Sequence, residues 1–354
     1  MQVSHLSKML IITLFFTRLS YAQENSVKTE NLSKHLSTII APEPIKRVNP
    51  KYPVNAARSA REGWARLSFV IDKEGNVNNI LVTETSGSKD ITKAAVKAAK
   101  QWKYKPAMEN GKPIQQCVNS VQMDFRMNKN GTTGATRKFI SKYKKAQQAL
   151  ADKDYIELEK QLTSMKKNKY MHLSENNYLH LLSADYAKEQ GQKAKQLSHL
   201  NRVAMSLVTM NNEKQKLSVL YQVFSLQVEL NKFKAAHVTY EKLITLSSAK
   251  PYLEQLEKTM TQVNEVIAGD KNLILDATIN KDFWTAELVR NEFSLIAVEG
   301  SLHTLDVRCA NKRHVYTIEE ESTWKIPSSW EDCSIYVFGE AKTSFKLVEH
   351  PLSI

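Results

Sequence analysis

The sequence predicts a multidomain chain: a small α+β unit, then all-α helical-hairpin repeats, then a small all-β sandwich. Three observations predict it. Residues 44–128 hold alternating apolar runs around a single amphipathic helix pattern, and residues 135–268 carry few Gly or Pro and apolar residues at helical spacing. From residue 271 onward, short alternating runs are separated by Gly, Asn and Pro-Ser-Ser breaks. A length of 354 residues accommodates two or three domains. With 42% apolar and 25% charged residues, the chain is neither disordered, collagen-like nor coiled-coil. A mean hydropathy of −0.43 and no long apolar run exclude a polytopic membrane protein.

At the start, Lys8 precedes the apolar run from Met9 to Phe16, and Ser20-Tyr21-Ala22 follows. A basic start, a short apolar core and a small-x-small exit predict a secretory signal, residues 1–22, cut after Ala22. Arg18 interrupts the apolar stretch well short of the roughly 20 residues a span needs. Loss of Lys8 and Arg18 lowers the net charge from +13 to +11 and leaves a chain folding in an oxidising space. Residues 23–43 are polar and read as a flexible leader, closed by Pro42 and Pro44.

Within 44–128, Ala65, Leu67, Phe69 and Ile71 alternate as a strand with one buried face, and Asp72 to Asn76 make a turn into a second strand, Val77 to Thr83. Ser88 or Asp90 caps a helix whose apolar stripe is Ile91, Ala95, Ala98 and Trp102, with Lys93, Lys97 and Lys100 opposite. After the Asn110-Gly111 turn, Cys117, Asn119, Val121, Met123 and Phe125 fall on one face of a last strand. Val118, Ser120, Gln122 and Asp124 fall on the other.

In the helical segment the best-formed hairpin is Leu217 to Ser248, with weaker copies near Tyr178–Met205 and Ala149–Met165. The Ala236, Tyr240, Leu243 spacing resembles the second helix of a tetratricopeptide repeat, an array that presents a concave surface to partners. The β-rich segment, 271–354, shows runs at 273–279, 283–289, 293–298, 305–309, 314–318 and 335–338, as a sandwich or barrel requires. Trp284, Trp324 and Trp330 are assigned to its core and rim. Cys309 and Cys333 both lie there and are expected to pair in an oxidising compartment, leaving Cys117 free and packed as a small hydrophobe.

Charge divides the chain in the same way. Residues 44–128 carry 15 basic and 7 acidic residues, residues 129–270 carry 22 and 14, and residues 271–354 carry 9 and 13. The basic run Lys166-Lys167-Asn168-Lys169 is too short and too poor in aromatics for nucleic acid. No phosphate loop, nucleophile elbow or metal-ligand spacing appears, and the nine histidines are spread without companion acids or cysteines. No enzymatic activity, metal or cofactor is expected.

The series Arg47-Val48-Asn49-Pro50-Lys51-Tyr52-Pro53 resembles the lead-in of the C-terminal domain of TonB, the periplasmic energy transducer of Gram-negative bacteria. The resemblance continues through Gly63, Phe69-Val70-Ile71-Asp72, Gly75-Asn76-Val77, Ser86-Gly87, Trp102-Lys103-Tyr104-Lys105-Pro106-Ala107, Asn110-Gly111-Lys112-Pro113 and Phe125. It implies a periplasmic docking module for TonB-dependent outer-membrane transporters, whose TonB box adds as a strand to the last strand of the sheet. Here that edge is Gln115–Arg126, and the residues implied in peptide binding are Arg47, Pro50, Tyr52, Pro53, Val118, Ser120, Gln122 and Asp124. Asn55 stands where the family often has a basic residue, with Arg58 three positions on. The family's membrane-buried His and Pro-rich reach, which connect it to the ExbB–ExbD motor, are not seen in this sequence. The alternative reading is an envelope scaffold that uses the same fold on cell wall or other periplasmic proteins.

Overall fold

The computed structural model describes residues 39–351 except 87, 128–133, 169–170, 211 and 320–321, with the backbone alone at Ile39 and Asn119. The expected signal and most of the leader lie outside the described residues. Strand pairing nevertheless begins inside the leader span. β1 (Ile39–Ile40) sets Ile39 opposite Glu109, and β2 (Glu43–Lys46) sets Glu43 opposite Lys105. A single helical turn, α1 (Val54–Arg58), follows Pro53, whose carbonyl accepts the Ala57 N–H.

β3 (Gly63–Ile71) and β4 (Val77–Thr85) form the expected antiparallel hairpin. Asp72 shapes the turn by accepting the Glu74 and Asn76 N–H groups at 3.1 and 2.7 Å. Gly75 there has φ +80°, and a Cβ at that position would collide with the Tyr104 carbonyl. α2 (Lys89–Ala99) buries Ile91, Ala95 and Ala98 as its stripe predicts, and Trp102 meets Phe69 edge-on at 5.7 Å. Three short strands follow, β5 (Lys103–Lys105), β6 (Ala107–Glu109) and β7 (Lys112–Ile114), then β8 (Gln116–Phe125). The main sheet has the order β4-β3-β8, with β3 central.

The expected face assignment fails at one point on β8. Val121 stands opposite Leu67 but Val118 opposite Phe69, so two residues, Asn119 and Ser120, face the single Ser68. This bulge shifts the side-chain phase by one. Val118 therefore packs with Leu67 and Phe69 on the α2 side, not away from it. Cys117 lies opposite Val70 on the other face, buried, with its thiol 3.7 Å from the Lys312 carbonyl.

The helical segment comprises α3 (Arg137–Ala151), α4 (Tyr155–Lys166), α5 (Leu173–Glu189), α6 (Lys193–Ala204), α7 (Glu213–Glu229), α8 (Phe233–Ile244) and α9 (Leu253–Ala268). Three hairpins, α3/α4, α5/α6 and α7/α8, close in the same way. Lys153, Gly191 and Asn231 each take a left-handed conformation (φ 58°, 66° and 54°). The next N–H in each case reaches back 2.8 Å to Ala149, Ala187 or Gln227. The repeat is 38 residues from Lys153 to Gly191 and 40 from Gly191 to Asn231, longer than the 34 of a tetratricopeptide array.

Among the described residues, the last segment holds eight strands in two antiparallel sheets around one apolar core. They are β9 (Leu273–Thr278), β10 (Phe283–Glu287), β11 (Glu292–Glu299), β12 (Leu302–Arg308), β13 (Arg313–Thr317), β14 (Thr323–Lys325), β15 (Ser334–Gly339) and β16 (Ser344–Glu349). The orders are β10-β15-β12-β13 and β14-β11-β16-β9. Cys309 and Cys333 are disulfide-bonded, directly beyond the Arg308–Ser334 pair of β12 and β15. Trp284, Trp324 and Trp330 pack part-buried against the core.

Both later segments lean on the first. The Glu62 carboxylate, almost fully buried, accepts the N–H of Leu173 at the start of α5 (3.3 Å) and of Met127 (3.0 Å). Arg308, 1% exposed, pairs with Asp306 and donates from Nη1 to the Ser68 hydroxyl (3.2 Å) and the Asn79 carbonyl (3.1 Å). Its guanidinium also lies 4.8 Å from the Tyr336 ring centroid.

Candidate strand-docking site

β8 is an outermost strand, and among the described residues its ladder partner is β3 alone. Its far end and the lead-in segment meet. Tyr52 sets its ring edge-on to Phe125 at 5.7 Å and donates its hydroxyl to the carbonyls of Arg61 (2.9 Å) and Phe125 (3.4 Å). Burial, and after it the Glu62 carboxylate, pushes the Tyr52 hydroxyl up to about 12, so it stays a donor at any physiological pH. Pro53 immediately follows as the residue that opens α1, and Pro50 is half-buried just before it.

Arg47 is exposed at the other end of the lead-in, 57 residues in sequence from its partner Tyr104. Its Nε donates to the Tyr104 hydroxyl at 2.9 Å, and the guanidinium sits 5.1 Å from the Trp102 and 5.4 Å from the Tyr104 ring centroids. The Trp102 indole N–H donates to the Val48 carbonyl at 2.8 Å, which fixes the lead-in against the α2 end of the fold. So the segment Arg47 to Pro53 runs from the Trp102–Tyr104 pair to the end of β8.

The polar side chains of β8 already have partners within the chain. Ser120 accepts the Arg66 Nε–H. Gln122 donates from Nε2 to the Asp124 carboxylate and to the Met205 carbonyl at the end of α6, both at 2.7 Å. Asp124 also receives Arg126 at 2.9 Å. Of these, Gln122 reaches the helical segment, while Ser120 and Asp124 stay exposed on the same face. What β8 has left to offer an incoming chain is its backbone edge.

The family model of the Gram-negative bacterial TonB protein C-terminal matches residues 48–127. That span ends within two residues of β8 and begins one residue after Arg47. Within it, this chain is 36% identical over 79 residues to the protein TonB of Xanthomonas campestris pv. campestris, covering 22% of this chain and 35% of that one. It is 37% identical over 79 residues to the protein tonB2 of Pseudomonas aeruginosa, 22% of this chain and 29% of that one. The chain thus spans about a third of the length of the curated relatives it matches. The solution structure of the Pseudomonas aeruginosa TonB C-terminal domain aligns over 25% of this chain and 88% of its own, at 24% identity and a TM-score of 0.23. Residues 48–127 are the TonB-like part, and the sheet, α2 and lead-in described above all fall in or beside it.

The sequence carried no signal for three residues that shape this neighbourhood. Arg66 reaches Ser120 across the strand pair, Glu62 anchors α5, and Arg308 comes from 240 residues beyond Ser68. Each acts over a long sequence separation, Glu62 and Arg308 between segments, where local periodicity is silent. The histidines expected to be isolated include one close pair: His180 on α5 and His199 on α6 stand Nδ1 to Nδ1 at 2.9 Å. Among the described residues no cluster of His, Cys, Asp or Glu is arranged to hold a metal ion, and no helix is long and apolar enough to cross a membrane.

Proposed function

We propose that residues 44–128 are a docking module that takes an extended peptide as an added strand along β8. The peptide we assign is the TonB box of a TonB-dependent outer-membrane transporter, met in the periplasm of a Gram-negative cell after export by the signal expected in residues 1–22. The observation that carries the reading is the outermost position of β8, with β3 as its described partner, in a segment that matches the TonB C-terminal family. A strand edge supplies N–H and C=O groups that an extended chain satisfies without any particular side chain. Because Ser120, Gln122 and Asp124 are engaged internally, recognition is led by the main chain, and Val118 serves the core. Tyr52 braces the end of β8 where the peptide would terminate, with Pro50 and Pro53 beside it, and Arg47 ties the far end of the same lead-in to Trp102 and Tyr104. The activity is binding rather than catalysis, and coupling to ExbB–ExbD, where it occurs, would pass through this docked strand.

The test is titration of the full chain with TonB-box peptides from the host's own receptors. Ser120→Ala and Gln122→Ala should weaken binding only about two-fold, since each main-chain bond is worth about 0.5–1.5 kcal/mol net and none is removed. Val121 and Gln122 are consecutive, so one N–H faces β3 and the other faces outward. Proline at the outward one should abolish measurable binding while the fold persists; proline at the inward one should damage the sheet. A folded chain that binds none of the peptides would sink strand addition and leave the envelope scaffold in its place.

A further inference from the structure

A second site lies where the helices meet the TonB-like part. A cleft of about 380 Å³ is bounded by the end of α4, the first half of α5, the end of α6 and the residues just before β3. Four cations line it: Arg61, Lys166, Lys167 and Arg202. One carboxylate, Glu62, is part of the lining, and the acids around the cleft have partners. Asp90 is paired with Arg61 at 2.6 Å, and Glu62 receives the N–H groups of Met127 and Leu173. Glu84 is half-buried, with Arg66 and Arg202 as the cations that act on it. Among the described residues no carboxylate stands within ion-pair distance of Lys166, Lys167 or Arg202.

Two donors in the lining have no acceptor. Asn176, 8% exposed in the first turn of α5, has its Nδ2 buried and unpartnered among the described residues, as is the Nε of Arg61. Buried donors without acceptors are rare and need an explanation. His180 lines the cleft and meets His199 at 2.9 Å, and both sense the same positive charge. Burial first, then Arg202, holds His180 down at about 3. Burial first, then Lys166, holds His199 at about 4.

We propose that this cleft binds a small anion of the phosphate class, with Lys166, Lys167 and Arg202 balancing its charge and Asn176 and Arg61 donating hydrogen bonds. The volume exceeds a single phosphate and suits a diphosphate or a phosphorylated small molecule. The site does not depend on strand addition at β8. A ligand in it touches the first segment through Arg61 and the helices through Lys166, Asn176 and Arg202.

The experiment is calorimetric titration of the full chain at low ionic strength with inorganic phosphate, pyrophosphate and citrate. The expected result is saturable binding of pyrophosphate, tighter than phosphate or citrate. Lys166→Gln, at an exposed position, and Arg202→Gln should each weaken it ten-fold or more, while Lys250→Gln, outside the cleft, should leave it unchanged. If Arg202→Gln does not fold, the Lys166 variant decides. The imidazole NMR signals of His180 and His199 should shift with the same saturation curve. No saturable binding, equal loss in the Lys250 variant, a preference for citrate, or unmoved histidine signals would each overturn the proposal.

Discussion

The two faces of β3 differ in how they are buried. The face toward α2 carries Ala65, Leu67, Phe69 and Ile71, all fully buried and covered by residues within 60 positions of them in sequence. The opposite face carries Trp64, Arg66, Ser68 and Val70, and on that side of the sheet the contacts come from far along the chain: Arg308 of β12 on Ser68, Met205 at the end of α6 on Gln122 of β8, and Lys312 on Cys117 of β8. The first face is an apolar core of ordinary kind. The second is a polar junction, held by a few hydrogen bonds that must all be satisfied at once. A TonB-like sheet whose back would otherwise meet solvent has become the middle layer of a larger body.

The comparison predicts a graded series. Phe69→Ala empties the apolar face and removes the contacts with Trp102 and Tyr104, which should cost about 4 kcal/mol in chemical denaturation. Arg308→Ala attacks the polar junction by leaving Asp306 with Arg313 alone, and should cost about 3 kcal/mol. It has a second readout. The Cys117 thiol is buried on that back face, with burial pushing it up to about 12, so it should resist labelling in the folded chain. Labelling should accelerate in the Arg308 variant and stay slow in a Phe69 variant measured under folding conditions. Equal acceleration in both would mean that the two faces are not independent.

Smaller effects separate the anchors. Glu62→Gln keeps shape but offers one good acceptor where the carboxylate offers two, to Leu173 and Met127, and should cost about 1.5 kcal/mol. Tyr52→Phe keeps the edge-on contact with Phe125 and loses the hydroxyl bond to the Arg61 carbonyl, at about 1 kcal/mol. Thermal melts of the two variants would show which holds the corner at the end of β8.

The local features were legible in the sequence because they repeat at short range. The β3–β4 hairpin, the Ile91–Trp102 stripe, the Asn231-Lys232 turn and the Cys309–Cys333 pairing all rest on neighbours or on composition within one segment. The α4 boundary at Lys153 was less visible than those at Gly191 and Asn231, since lysine seldom takes the left-handed conformation it adopts there. Strands β14 and β16 add to the six runs read from the sequence, because three-residue strands and mixed-face strands leave a faint alternation. The site was read less well than the fold. A strict two-residue period placed Val118 outward and Cys117 in the core, and one inserted residue on β8 reversed both. Nothing in the residue types at 119 and 120 announces a bulge.

That inserted residue also acts as a ruler. Regular pairing on β8 runs from Val121 to Phe125, and on the other side of the bulge only from Gln116 to Val118. A partner strand laid along the edge from the Tyr52 corner therefore meets about five residues of even spacing, some 17 Å, before the hydrogen-bonding pattern breaks step. On the proposed strand addition, a longer peptide would gain no further regular bonds there. If β8 takes a strand as proposed, the bulge would limit the length read in register, independently of that chain's composition.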